Sequence, residues 1–106
     1  MNKQQFSDYL KQSISFDDYD IKPSNAFSGA VEVFRAEKDW YIKQVGEVKA
    51  FKDWLQGLPS CLNIPYYYWD IRNLLYSFGL DDAQSMDDDI ISNLYYDTIT
   101  EIILKQ

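Results

Sequence analysis

An all-α fold, a bundle of four to five helices, is what this sequence predicts, and three kinds of observation predict it. Apolar residues recur at spacings of three, four and seven along most of the chain. Isolated Gly and Pro residues interrupt that pattern at helix-length intervals, and a capping signature precedes the last apolar run. The alternative is an α+β fold with a small hairpin over residues 30–45.

The first helix is expected over residues 3–14, where Phe6, Tyr9, Leu10 and Ile14 share one face. The segment Phe16 to Pro23 holds Asp17, Asp18 and Asp20 without a period and reads as a loop. Ser24 or Asn25 is then the expected N-cap of the next helix.

From there Phe27, Phe34, Tyr41, Val48 and Leu55 repeat at seven residues, with Val31 and Val45 between them, so one apolar face runs to about residue 55. Val31-Glu32-Val33 and Trp40-Tyr41-Ile42 are the runs that would make the hairpin. Ala36-Glu37-Lys38-Asp39 between them lacks the Gly or Asn of a tight turn, which favours helix. Gly46 lies inside the helical pattern and is the expected joint between two helices.

Gly57-Leu58-Pro59 reads as a stop, with Gly57 in the left-handed C′ conformation and Pro59 unable to continue the helix. The next helix is expected to open at Asn63-Ile64-Pro65, with Pro65 at its first position, and to run to Phe78 before Gly79. The last is expected to start at Ser85, which forms a Ser-x-x-Asp signature with Asp88, while Asp87, Asp88 and Asp89 face the positive end of the helix dipole.

At 106 residues the chain has the length of one domain, residues 1–106, with residues 1–22 as an N-terminal helix and acidic loop packed on it. No run approaches a bilayer span, and the first residues lack the apolar core of a secretory signal, so the cytoplasm of whatever cell makes the protein is the expected compartment. Cys61, the one cysteine, reads as a small buried hydrophobe.

The net charge of −7 is uneven. Residues 1–21 hold four acids and two bases, residues 22–69 five acids and six bases, and residues 70–106 eight acids and two bases. Such a C-terminal third repels phosphates, so direct nucleic-acid binding is not expected and a partner with a basic surface is.

Catalytic motifs are scarce. Histidine is absent, so Ser60 and Cys61 have no imidazole base, and an enzyme is not expected. Asp17-Asp18-Tyr19-Asp20 lacks the glycine and the bidentate glutamate of a calcium loop. Consecutive aspartates at 87–89 diverge around a helix and do not converge on one metal ion. The glycines at 29, 46, 57 and 79 are isolated and form no phosphate loop. No cofactor or metal site is therefore expected.

Two faces suit binding. In the helix after Pro65, Tyr67, Ile71, Leu74, Leu75 and Phe78 would share the core arc, leaving Tyr66, Trp69 and Tyr76 on the opposite one beside Arg72 and Asn73. Tyr, Trp and Arg are the residues enriched in interface hot spots. On the last helix Asp89, Asn93 and Asp97, with Glu101 nearby, follow one another at about 6 Å per turn, a pitch of the order of a row of phosphates. Ile90, Ile91, Leu94, Tyr95, Thr98 and Ile102 lie on its other side. Tyr96, Ile99 and Ile103 broaden that arc enough for central burial or a homodimer seam.

Lys49-Ala50-Phe51, the run Trp54 to Ser60 (Trp-Leu-Gln-Gly-Leu-Pro-Ser) and Asn63-Ile64-Pro65-Tyr66 resemble a family of small proteins, without assigned activity, encoded by tailed bacteriophages and related mobile elements. The likeness spans residues 27–105 and implies an origin, not a reaction. The run Asp87-Asp88-Asp89 departs from the family, whose last helix is less acidic. The resemblance and the missing catalytic groups lead to one expectation: a phage-type accessory protein that binds a host or phage protein stoichiometrically. Its expected role is an inhibitor of a host defence complex, of anti-CRISPR or anti-restriction type, with nucleic-acid mimicry as one route. The alternative is a homo-oligomeric structural or assembly part.

Overall fold

The computed structural model describes residues 2–13, 26–57 and 64–105. They form five α-helices: α1 (Lys3–Ser13), α2 (Ala26–Val45), α3 (Glu47–Gln56), α4 (Tyr68–Ser77) and α5 (Asp88–Leu104), with a 3₁₀ turn at Ala83–Ser85. Among the described residues there is no strand, so the helical expectation holds and the hairpin alternative does not. The residues expected to form the loop after α1 and the N-cap of α2, as well as Ile14 and Cys61, lie outside the described residues.

Helix α1 starts on a side-chain cap. The Asn2 carboxamide oxygen accepts the backbone N–H groups of Gln4 at 3.0 Å and Gln5 at 3.2 Å, two donors that the helix cannot satisfy itself. The buried Phe6 ring then meets Phe78 (5.3 Å between centroids) and Tyr95 (6.2 Å) edge to face. The Asn2 N–H donates to the Phe78 carbonyl, and the Lys11 ammonium lies 5.4 Å from the Phe27 ring. These contacts pack α1 against the start of α2, the C-terminal end of α4 and the middle of α5.

Between α2 and α3 the chain turns at Gly46, whose φ of +91° and extended ψ suit glycine alone. The joint expected there is present. It also breaks the seven-residue phase: Phe27, Phe34 and Leu55 are buried, whereas Val48 is 66% exposed just past the turn. Phe34 packs on Phe51 at 4.9 Å and on Trp54 at 5.6 Å, which joins α3 to α2. A second irregularity sits at Lys38, where non-helical φ/ψ kink α2.

Helix ends differ from expectation at three places. Gly57 stays right-handed, with φ −87°, its N–H still bonded to the carbonyls of Asp53 and Trp54. The left-handed glycine is instead Gly79 at φ +99°, where Leu80 N–H bonds the Leu75 carbonyl and Gly79 N–H the Tyr76 carbonyl, the paired bonds of a Schellman stop. Helix α4 opens at Tyr68 rather than Pro65, because Ile64 is buried as an anchor and the Pro65 carbonyl accepts the Tyr95 hydroxyl at 2.7 Å. Helix α5 opens at Asp88 with Asp87 as N-cap and no side-chain capping bond. Ser85 belongs to the preceding turn, its hydroxyl donating to the Asp82 carbonyl. Asp88 and Asp89 occupy the first turn and Asp87 the N-cap, where the helix dipole favours acids.

Helix α5 is the centre of the bundle. Ile91, Tyr95, Ile99 and Ile103 are fully buried in four successive turns, and Tyr96, Thr98, Thr100 and Ile102 close most of the remaining circumference. The buried Thr98 and Thr100 hydroxyls donate to the carbonyls of Leu94 and Tyr96, which removes the cost of an unpaired polar group. The broad apolar arc expected on this helix is buried at the centre of the fold. Ile90, expected on the same arc, is 54% exposed at the helix start.

Candidate functional site

Helix α4 positions the aromatic residues singled out from the sequence. It has ten residues and buries Ile71 and Leu75, with Leu74 and Phe78 packed at the margin. At 100° per residue, Trp69 and Tyr76 point almost directly away from those positions. Trp69 is 61% exposed, whereas Trp54, in the motif of the phage-family resemblance, is 5% exposed and packed against Phe34 and Phe51.

Upstream, Tyr66, Tyr67 and Tyr68 are all exposed. The expectation that Tyr67 faces the core is overturned: it caps α4 from an extended conformation and so falls outside the helical register that would have turned it inward. The Tyr66 and Tyr67 rings pair at a tilt of 30°, with centroids 4.5 Å apart and the Tyr66 hydroxyl donating to that of Tyr67. That bond and the neighbouring phenol raise the Tyr66 pKa above the ordinary tyrosine value. Residues 64–69 thus form an anchored strip of rings, held from below by Ile64 and by the bond between Tyr95 and Pro65.

Arg72 occupies the helix face between Trp69 and Tyr76, but its guanidinium is not free. It donates to the Met86 carbonyl at 3.0 Å and to the Asp88 carboxylate, with its side chain 14% exposed. The neighbouring Asn73 accepts the Gln84 amide at 3.2 Å. These bonds lay residues 84–88 against the middle of the α4 aromatic row. Arg72 therefore serves as an internal strut between α4 and the start of α5.

The segment so held is acidic. Asp81 and Asp82 precede it, Asp87 lies within it, Asp89 follows, and Asp70 lies on α4 beside Trp69. All five are exposed, and none lies within ion-pair distance of a cation among the described residues.

The row on α5 is different. Lys52, from α3, donates to Asn93 at 3.1 Å and pairs with Asp97 at 2.9 Å. Lys3, from α1, pairs with Glu101 at 2.7 Å, and Lys105 approaches the same carboxylate at 3.8 Å. Lys3 first, then Lys105, holds the Glu101 pKa below the ordinary value. Of the acids in the expected row, Asp89 alone has no ion-pair partner among the described residues. Lys3 and Lys52 come from distant parts of the sequence, so helical periodicity could not reveal them, whereas Lys105 stands one turn from Glu101.

Two hollows are open on the other side. A groove of about 690 Å³ lies at the α2–α3 turn, lined by Gly46, Val48, Lys49, Lys52 and Asp97 among others, and one of about 250 Å³ lies over Glu37, Tyr41, Asp53 and Trp54. In the second, Asp53 accepts the Tyr41 hydroxyl at 2.6 Å and the Lys49 ammonium at 3.1 Å. Those two bonds lower the Asp53 pKa. Among the described residues no group of three or more His, Cys, Asp or Glu is placed to hold a metal ion, and no helix is long and apolar enough to cross a membrane.

Fold and surface together describe a small helical protein with an aromatic face bordered by exposed carboxylates. Comparison with protein-family models, curated proteins and solved structures finds no match.

Proposed function

We propose that this chain is a phage-type accessory protein that acts by stoichiometric protein–protein binding, as an inhibitor of a host defence complex in the bacterial cytoplasm. The observation that carries the binding reading is the exposed row of Tyr66, Trp69 and Tyr76 on and before a helix whose apolar face is already satisfied by the core. Large rings held rigid in water are the usual anchors of an interface, since they bury much area at little conformational cost. The phage origin rests on the sequence motif at Trp54 to Ser60 and Asn63 to Tyr66, and the anti-defence role on that origin.

Charge favours a partner with a basic surface, because the C-terminal third keeps uncompensated acids around Trp69 and Tyr76. A line of phosphate-like charge along α5 gains less support, since Lys52, Lys3 and Lys105 occupy Asp97 and Glu101. The homo-oligomeric alternative gains less as well, because the α5 arc that would supply its seam is spent inside the fold.

The test is capture of the tagged protein's partners from a lysate of its bacterial host, with wild type and the double variant Trp69→Ala/Tyr76→Ala in parallel. A nuclease, polymerase or other defence component retained by the wild type and lost by the variant supports the reading. The same catch with both proteins, or recovery of this chain alone, removes it.

A further inference from the structure

We infer that the aromatic face of α4 and the acidic segment beside it form one docking surface for an arginine-bearing segment of a protein. This rests on the proposed binding function and assigns the chemistry of the partner's contact.

The two halves of the surface are joined by bonds, not by sequence proximity alone. Arg72 and Asn73 sit between Trp69 and Tyr76 in the helix register, and both hold residues 84–88. Exposed rings therefore run alongside exposed Asp81, Asp82, Asp87 and Asp89, with Asp70 adjoining Trp69. The bases in residues 64–105, Arg72 and Lys105, are both committed to acids of the chain itself. Five carboxylates so placed meet no cation among the described residues.

A guanidinium answers both halves at once. Its flat face stacks on Trp or Tyr, and its edge donates a fork of N–H groups to a carboxylate. A lysine ammonium is more strongly hydrated and meets the carboxylates as a point charge without the stacking plane. A phosphate backbone is repelled by the acids, and a second copy of this chain would set the same five charges against these. Charge complementarity thus selects an arginine-bearing partner over both.

The chain's own tryptophans report the test. Titrate the isotopically labelled protein with a short peptide of arginines spaced by glycine and serine, and with its lysine counterpart, at low and at roughly 0.5 M salt. The Trp69 indole N–H and the amides of residues 81–89 should move, while the Trp40 and Trp54 indoles stay. The arginine peptide should bind several-fold more tightly than the lysine one. Trp69→Ala/Tyr76→Ala should lower its affinity about tenfold, the order expected on losing two stacked anchors. Asp81→Asn, Asp82→Asn, Asp87→Asn and Asp89→Asn combined should weaken binding and remove most of its salt dependence. Thermal melts of the variants verify that each is folded.

Equal response to both peptides with Trp69 unmoved, which is attraction to net charge alone, overturns the inference, as does a response centred on Asp97 and Glu101 or no response at all. If the captured partner is lost with Trp69→Ala/Tyr76→Ala but the arginine peptide neither binds nor competes, this inference fails and the binding function stands.

Discussion

The Arg72 guanidinium reaches from the middle of α4 to the Met86 carbonyl and the Asp88 carboxylate, joining the aromatic helix to the first turn of the central one. Arg72→Ala leaves the Met86 acceptor and the Asp88 charge without their donor, a loss of about 1–2 kcal/mol after allowing for the partial exposure of Asp88. Arg72→Lys should restore less than half of it, since an ammonium cannot fork to both acceptors. Urea unfolding measures both variants. A Lys variant as stable as wild type would remove the strut role.

Two tryptophans make a contrasting pair. Trp54→Ala removes a ring packed on Phe34 and Phe51 and should cost about 3–5 kcal/mol. Trp69→Ala and Tyr76→Ala should each stay within about 0.5 kcal/mol of wild type, because their rings are largely in water. A loss of several kcal/mol at Trp69 would make it a core residue and withdraw the binding surface.

The glycines at 46 and 57 should respond oppositely to alanine. At Gly46 a Cβ meets nothing within 4 Å, but φ of +91° strains any L side chain, so Gly46→Ala should cost about 1–3 kcal/mol. At Gly57 the backbone is right-handed and a Cβ rests 3.6 Å from the Trp54 carbonyl oxygen, an ordinary contact. Gly57→Ala should be neutral or stabilising by up to about 1 kcal/mol. Thermal denaturation of the two variants separates backbone strain from space.

Stability should fall at both ends of the pH scale. The carboxyls of Asp53 and Glu101 have lowered pKa values in the fold. As pH drops below about 4 the unfolded chain binds protons that the native state resists, so their stabilisation, present above that range, is lost. Tyr95 is shifted the other way: burial, then the charges of Tyr96 and Tyr9, raises its pKa far above 10. Its stabilisation is complete below about pH 10 and is lost as pH rises and the unfolded chain releases the phenolic proton. Asp53→Asn should flatten the acid limb and Tyr95→Phe the alkaline limb in urea titrations across pH. Tyr95→Phe also leaves the Pro65 carbonyl without its donor, at about 1 kcal/mol near neutrality.

How far the site was legible follows from the range of the forces involved. The exposure of Trp69 and Tyr76 could be read from spacing, since a helix with Ile71 and Leu75 inward must turn those positions out. Tyr67 was misplaced because its side depends on where α4 begins. That start is set by the Tyr95 hydroxyl at the Pro65 carbonyl, 30 residues apart in the chain. Likewise Ser85 has the chemistry of a helix cap, yet the turn over Ala83–Ser85 uses its hydroxyl first.

By itself the sequence determined that the chain is helical, that it breaks near Gly46 and Gly79, that α5 carries an apolar arc broad enough for the centre, and that negative charge gathers at its C-terminal end. These are consequences of periodicity, glycine conformation and composition, all properties of neighbouring residues. Only the tertiary structure decided which acids remain free. Lys3 reaches Glu101 across 98 residues and Lys52 reaches Asn93 across 41, while Asp70, Asp81, Asp82, Asp87 and Asp89 find no cation among the described residues. An ion pair depends on distance in space, which local pattern does not specify, and so the charge of a helix face became known only when the other helices were packed around it.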